Sequence, residues 1–69
     1  MEVQSVTFYK ADWTPFRAKM WLEQNGYKAK KIDVTENQLR FRQHAPSGYT
    51  KFSIKQLPNG INLVLGKKK

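Results

Sequence analysis

Apolar and polar residues alternate along most of this chain, and one segment near its start has helical spacing instead. In residues 3–10, Val6 and Phe8 alternate with Thr7 and Tyr9. This pattern is typical of a strand, because successive side chains of a strand point to opposite faces. The same period of two predicts further strands at residues 29–34, 38–43, 51–57 and 61–65.

The alternation also predicts which side chains of each later strand face the core. The residues predicted to point inward are Leu39, Phe41, Phe52, Ile54, Ile61, Leu63 and Leu65. The residues between them then point outward, because neighbours along a strand lie on opposite faces. Four of these outward residues are basic, namely Arg40, Arg42, Lys51 and Lys55.

Residues 15–25 have the spacing and the boundary residues of a helix. Thr14 can cap the first N–H groups, Pro15 suits the first helical position, and Gly26 can adopt the left-handed conformation that ends a helix. The face predicted to cover the sheet consists of Ala18, Trp21, Leu22 and Asn25.

Two apolar residues of this helix, Phe16 and Met20, fall on nearly the opposite face. They are four residues apart, which is contact spacing on a helix. Exposed apolar residues are common singly, but a pair at this spacing indicates a candidate protein contact.

The predicted order of elements is β-α-β-β-β-β, which indicates an α+β fold. We expect one helix packed on one face of a mostly antiparallel sheet. Residues 1–66 are predicted to form a single domain, and residues 67–69 a basic tail. Because one helix covers only one face of a sheet, the other face is expected to meet water or a partner.

The positive charge is concentrated after residue 27. Residues 1–27 contain three basic and three acidic residues, whereas residues 28–69 contain ten Lys or Arg and only Asp33 and Glu36 as acids. The formal net charge of +8 therefore comes entirely from the second part of the chain. A surface with this potential attracts polyanions, so DNA or RNA is the first partner to consider.

The four outward basic residues fall on two strands that we predict to be neighbours, where they would form a positive plate on the uncovered side of the sheet. Arg and Lys side chains bind phosphate oxygens, the former through paired hydrogen bonds. The residues predicted to extend the plate are Lys28, Lys30 and Lys31, and those predicted to stack on unpaired bases are Trp13, Tyr27 and Tyr49. Two alternatives stay open: outward charges can serve only solubility and edge protection, and Trp13 can be a buried staple.

Several kinds of chemistry are not expected. The chain has no cysteine and a single histidine, His44, so no disulfide, metal site or cofactor is predicted. The five carboxylates have no spacing that suggests an acid–base pair, so we predict that the protein is not an enzyme. No apolar run approaches the length of a membrane span and the first residues do not resemble a secretory signal, which predicts the cytoplasm as its location.

Three motifs carry a resemblance that covers nearly the whole chain: WTPxxAxxWLxxxGY at residues 13–27, TENxxRFRQxxPSxYxxF at residues 35–52, and GIxxVxGxxK at residues 60–69. They resemble a group of small phage and prophage proteins that occur alone or beside and within phage head proteins. The resemblance implies a viral origin, with the host-cell cytoplasm as location, but no settled molecular activity. The chain departs from the group at Phe16 and Met20, where polar or small residues are usual.

A weaker resemblance links residues 6–36 to the opening β-α-β unit of glutaredoxins. Residues 13–16 read Trp-Thr-Pro-Phe where the redox Cys-Pro-x-Cys motif of that family would stand. Without a thiolate there is no disulfide exchange, so no redox activity is predicted.

Two functional hypotheses follow from these patterns. The first is a small basic phage-type module that binds nucleic acid through the phosphate backbone, using an exposed sheet face. The alternative is a protein–protein interaction factor, either for virion assembly or as an inhibitor of a host protein. It would use the basic face together with Phe16 and Met20 against an acidic partner.

Overall fold

The computed structural model of the protein describes residues 1–68, which contain one α-helix and five strands. The elements are β1 (Glu2–Tyr9), α1 (Pro15–Gln24), β2 (Ile32–Val34), β3 (Gln38–Arg42), β4 (Tyr49–Leu57) and β5 (Ile61–Lys68). Short 3-10 turns at Pro46–Gly48 and Pro58–Gly60 precede β4 and β5. The predicted α+β class is confirmed.

The five strands form one antiparallel sheet in the order β2-β3-β1-β5-β4. The first strand of the chain thus lies at the centre of the sheet. Its Val6 is opposite Phe41 of β3 on one side and Leu63 of β5 on the other. The two edges of the sheet are the short β2 and the long β4.

The core lies between the helix and the middle of the sheet. Its most buried side chains, each at most 2% exposed, are Val6, Phe8, Ala18, Leu22, Leu39, Phe41 and Ile61. The Phe8 ring meets the rings of Trp21 and Phe41 edge-on, with centroids 5.8 and 5.6 Å apart. Full burial of such a side chain stabilises the fold by roughly 1.5–3 kcal/mol.

The helix begins and ends as its boundary residues predict. Thr14 Oγ1 accepts a hydrogen bond from the Arg17 N–H at 3.2 Å. At the other end Gly26 has a φ of 79°, which a residue with a side chain rarely adopts. The Gly26 and Tyr27 N–H groups donate to the carbonyls of Glu23 and Leu22, an arrangement that satisfies two of the last helical acceptors.

The predicted inner face of the helix is correct at Ala18 and Leu22, which are fully buried, and wrong at Asn25. Asn25 caps the helix instead, and its exposed side-chain Nδ2 donates to the Trp21 carbonyl at 2.8 Å. The Trp21 carbonyl accepts both the backbone N–H and the side-chain amide of Asn25, so this amide bonds locally rather than entering the core.

The predicted facing of β4 is wrong. Phe52 and Ile54 lie opposite Gly66 and Val64, on the sheet face away from the helix, and are 48% and 67% exposed. Lys55 lies opposite Leu63, on the helix side. A helix about 10 Å wide covers only two or three strands spaced about 4.8 Å apart, so residues 50–56 of this edge strand have no buried face to fill.

Two predicted boundaries also change. The structure includes Lys67 and Lys68 in β5, opposite Lys51 and Tyr49, so they are not part of a tail; Lys69 lies outside the described residues. At the other edge β2 is only three residues long, because the residues before Ile32 do not join the sheet.

Candidate nucleic-acid interface

The predicted basic plate does not form. β1 and β5 lie between β3 and β4, so the two arginines and the two lysines are not on neighbouring strands. Arg40 and Arg42 are opposite Thr7 and Ser5 on the open face of the sheet, the face away from the helix. Lys51 and Lys55 are on the helix side of β4. The four residues therefore occupy opposite faces near opposite edges.

The structure instead brings the three predicted flanking lysines together with one of the arginines. Lys28, Lys30 and Lys31 belong to the segment that joins α1 to β2, and this segment passes the end of β3. Together they line a cleft of about 340 Å³, here called the basic cleft, whose residues are Lys28, Lys30, Lys31, Arg42, Gln43, His44 and Ala45.

A buried glutamine holds this segment in place. Gln43 is 8% exposed, its Oε1 accepts from the Lys28 N–H at 2.7 Å, and its Nε2 donates to the Lys28 carbonyl at 2.9 Å. One side chain thus satisfies both backbone groups of Lys28, as a neighbouring strand would. The sequence motif contained Gln43, but its polar character gave it no predicted role.

A second glutamine fixes the other wall of the cleft. Gln4 is 6% exposed and lies where the pairing of β1 with β5 shifts register. Its carbonyl accepts from the Gln43 and His44 N–H groups, and its Nε2 donates to the His44 carbonyl at 2.7 Å. Hydrogen bonds from the central strand therefore hold the backbone at residues 43 and 44.

The lining of the basic cleft is cationic and contains no carboxylate. One of its cations has an acidic partner: Asp33 Oδ2 accepts from Arg42 Nη2 at 3.2 Å. Both side chains are about half exposed, so this ion pair is weak. A guanidinium has five N–H donors, and Arg42 uses one of them for Asp33.

Rows of paired residues cross the open face of the sheet beside this cleft. One row runs Asp33, Arg40, Thr7, Asn62 and Gln56, and the next runs Arg42, Ser5, Val64 and Ile54. The surface is recessed in the middle of both rows, because the side chains of Ser5, Thr7 and Asn62 are short and at most 7% exposed. The open face is therefore basic near β3, polar in the centre and apolar near β4.

The three aromatic residues predicted to stack on bases all have partners within the protein. Trp13 Nε1 donates to the Asn59 carbonyl at 2.6 Å, and the Arg17 guanidinium lies 4.8 Å from its ring. Tyr27 is stacked on Trp21, with centroids 5.9 Å apart. Of the three, only Tyr49 belongs to the sheet.

Tyr49 is 7% exposed, and its hydroxyl donates to Glu2 Oε1 at 2.7 Å. Its ring covers Gly66, where an added Cβ would lie 2.6 Å from Tyr49 Cδ1. Burial, followed by this hydrogen bond, raises the pKa of Tyr49 to about 12. The same hydrogen bond, with smaller help from Lys68, lowers the pKa of Glu2.

Two other aromatic residues have exposed rings on the open face, and the sequence did not single them out. Tyr9 is 38% exposed and Phe52 is 48% exposed. Tyr9 follows the buried Phe8 on β1, so alternation alone was enough to place it outward. Phe52 was missed because its apolar character suggested the core.

The helix pair predicted as a protein contact is exposed. Phe16 is 72% exposed and Met20 is 46% exposed. Met20 also borders a shallow depression formed with Trp13, Arg17, Trp21 and Gln24.

Residues 1–68 contain no group of three or more His, Asp or Glu side chains that could hold a metal ion. In the same part of the chain, no helix has the length and apolar character that crossing a membrane requires.

Comparisons of the chain with family models, with curated proteins and with solved structures find no match in any of the three. The resemblance to phage proteins therefore stays a prediction from the sequence.

Proposed function

We propose that this protein is a small basic phage-type module that binds nucleic acid through the phosphate backbone, acting in the host-cell cytoplasm. One observation carries the proposal: Lys28, Lys30, Lys31, Arg42 and His44 converge on one cleft whose backbone is held by buried glutamines. A surface charged only for solubility does not need its cations gathered around a fixed concavity.

Phosphate is the ligand that this group of side chains fits best. Lysine ammonium groups supply point charges, and the free donors of Arg42 can form paired bonds with phosphate oxygens. Gln43 keeps the Lys28 backbone fixed, so less entropy is lost when the lysines engage a ligand.

The open face gives a path by which a strand of nucleic acid leaves the cleft. Arg40 and Arg42 are two residues apart on β3, which separates them by about 7 Å along one face. Beside them lies the low polar strip that contains Ser5 and Thr7. Contacts of this kind bind the backbone rather than base edges, so weak sequence specificity is expected.

The test is a salt titration of binding to a labelled oligonucleotide, single-stranded and duplex, for two matched triple variants. One variant changes Lys28, Lys30 and Lys31 to Ala, and the other changes Lys51, Lys55 and Lys67 to Ala. Each removes three positive charges from exposed side chains. We expect the cleft variant to lose at least tenfold in affinity at low salt and about two to three units of the log–log salt slope. In the variant at Lys51, Lys55 and Lys67, the losses of affinity and of salt slope should each be less than half as large.

Two results would contradict the proposal. Absence of binding by the unmodified protein at low salt would exclude a nucleic-acid function. Equal losses in both triple variants would mean that only the net charge matters and that the basic cleft has no special role.

A second candidate function is a protein contact through Phe16 and Met20, for virion assembly or for inhibition of a host protein. It is favoured by their exposure, 72% and 46%, on the helix side that faces away from the sheet. We expect a partner captured from nuclease-treated host lysate to be lost when both residues are changed to Ala, with no loss of oligonucleotide binding. Capture that is unchanged in this double variant would contradict the contact.

A further inference from the structure

The edge strand β4 offers a long unpaired backbone. It has nine residues, and among residues 1–68 its only strand neighbour is β5. Every residue from Thr50 to Gln56 is exposed. An edge strand presents alternate N–H and C=O groups that no neighbour satisfies, so it can accept another strand.

The centre of β4 has the same pattern when read in either direction. The sequence Lys51-Phe52-Ser53-Ile54-Lys55 places a cation at each end, an apolar residue inside each cation, and Ser53 in the middle. The cations lie on the helix side of the sheet, and the apolar pair lies on the open face. Lys67, opposite Lys51, adds a third cation to the same side.

This pattern disfavours a second copy of the chain as the occupant of the edge. Two copies of β4 paired antiparallel about Ser53 would place Lys51 of each copy opposite Lys55 of the other. Like charges directly opposite each other destabilise a strand pair. An added strand with acidic side chains at the corresponding positions would instead place a carboxylate opposite each of these lysines of β4.

We propose that β4 accepts a sixth strand from an acidic protein partner, with the local pattern acidic–apolar–x–apolar–acidic. Its two acidic residues, four apart, face Lys51 and Lys55, and its two apolar residues lie beside Phe52 and Ile54. Because the pattern in β4 is symmetric about Ser53, a parallel and an antiparallel strand meet the same side chains. The apolar pair also extends the row formed by Ile54 and Val64 on the open face.

This interaction is separate from the basic cleft. The cleft lies near β2 and the end of β3, and β4 is at the opposite edge of the sheet. Nucleic-acid binding and strand addition therefore depend on different residues. An experiment that contradicts one of these two proposals does not contradict the other.

The probe is a fluorescein-labelled nine-residue peptide with Glu-Val-Thr-Val-Glu at its centre. The comparison peptides contain Lys-Val-Thr-Val-Lys or the scrambled order Glu-Glu-Thr-Val-Val. By fluorescence anisotropy at low salt, we expect the first peptide to bind at least tenfold more tightly than either comparison peptide. Hydrogen exchange of the unmodified protein should then show protection of the amides at residues 50–56.

A charge reversal tests the pairing directly. The double variant Lys51→Glu and Lys55→Glu should prefer the Lys peptide over the Glu peptide, because the cross-strand charges are exchanged. The matched double variant Lys28→Glu and Lys30→Glu, which alters the cleft by the same charge, should keep the original order. All four positions are exposed, so neither variant removes a core contact.

Three results would overturn the proposal. The first is an unchanged order of peptide affinities in the Lys51→Glu and Lys55→Glu variant. The second is peptide-induced protection outside residues 50–56. The third is protection of those amides by self-association or by an oligonucleotide that displaces the peptide, which would assign the edge to a second copy or to nucleic acid.

Discussion

A group of three lysines lies near each edge of the sheet, but the two groups are arranged in different ways. Near β2, Lys28, Lys30 and Lys31 lie in a segment outside the sheet, where a glutamine side chain replaces a neighbouring strand. Near β4, Lys51, Lys55 and Lys67 follow the regular spacing of two paired strands. The first arrangement gathers charge around a cleft, and the second spreads it along a line.

An equal number of charges can therefore suit different partners. A concave group of cations surrounds a phosphate from several directions, whereas a linear group beside open backbone groups matches another strand. Net charge and composition do not separate the two cases. The distinction depends on Gln43 at one end and on the free edge of β4 at the other.

Among substitutions that distinguish the two groups of lysines, the largest loss of stability is expected from Gln43→Leu. The change leaves the Lys28 N–H and carbonyl without their partner, at a cost of about 2–3 kcal/mol in the free energy of unfolding. It should also weaken oligonucleotide binding and leave binding of the Glu-Val-Thr-Val-Glu peptide unchanged. Chemical denaturation and the two binding assays measure these effects.

The control for this variant is Gln24→Leu, which changes the same residue type at an exposed helix position. It should alter the free energy of unfolding by less than about 0.5 kcal/mol. Equal destabilisation by both variants would mean that Gln43 does not hold the cleft segment.

A smaller effect, at the other end of the sheet, is expected from Gly66→Ala. The new Cβ would approach the Tyr49 ring to 2.6 Å, so the ring or the β4 backbone must move. Overpacking of this kind costs about 1–2 kcal/mol when a neighbour can shift. Thermal unfolding should show a lower Tm than in the unmodified protein. Relative to the unmodified protein, hydrogen exchange should accelerate more in β4 than in β2 and β3.

Gly48→Ala is the matched substitution, because nothing lies within 4 Å of its added Cβ. It should leave the Tm almost unchanged. A Tm for Gly66→Ala equal to that of Gly48→Ala would show that Tyr49 does not pack on Gly66.

A gain in stability is expected from Lys51→Glu. Lys51 lies directly opposite Lys67, and converting this like-charge pair into an ion pair should raise the free energy of unfolding by about 0.5 kcal/mol. Adding Lys67→Glu to the same chain should cancel the gain, because two like charges again face each other. Denaturant titrations at low salt measure the cycle, and additive effects of the two changes would contradict direct pairing.

The smallest effect at neutral pH is expected from Tyr49→Phe, which removes the hydrogen bond to Glu2. The pKa of Glu2 is lowered below its ordinary 4.5, so its contribution to stability is present above that pH and is lost as the pH falls through the lowered pKa. The pKa of Tyr49 is raised from 10.0 to about 12, so its contribution is present below pH 10 and is lost between pH 10 and 12.

The stability of Tyr49→Phe should therefore change less with pH than that of the unmodified protein in both intervals. Tm measurements from pH 3 to 6 and from pH 9 to 12 test this expectation. Parallel curves for the two proteins would contradict it.

The sequence was sufficient for the features that depend on neighbouring residues. The caps at Thr14 and Gly26 and the burial of Ala18 and Leu22 follow from local spacing, and the structure confirms them. Outward placement of Arg40 and Arg42 also follows from alternation about the buried Leu39 and Phe41.

The candidate site was harder to predict because it depends on pairing between distant strands. Alternation shows that Phe52 and Lys51 face opposite ways, but which of them meets the helix depends on the register with β5. The separation of β3 from β4 depends on β1 lying between β3 and β5. The partnership of Gln43 with Lys28 joins a side chain to backbone atoms, and no pattern of residue types reveals it.

The central position of β1 has a consequence for the order in which the protein folds. Phe8 is synthesised early, yet it pairs with Ile61 of β5, the last of the described elements to leave the ribosome. Until then, one side of β1 has no neighbouring strand, and its apolar residues lack the contacts that β5 provides. Sheets closed by contacts between distant parts of a chain fold slowly compared with locally connected ones. We expect nascent chains that stop before Ile61 to remain protease-sensitive, and the change to resistance to come only after β5 has emerged.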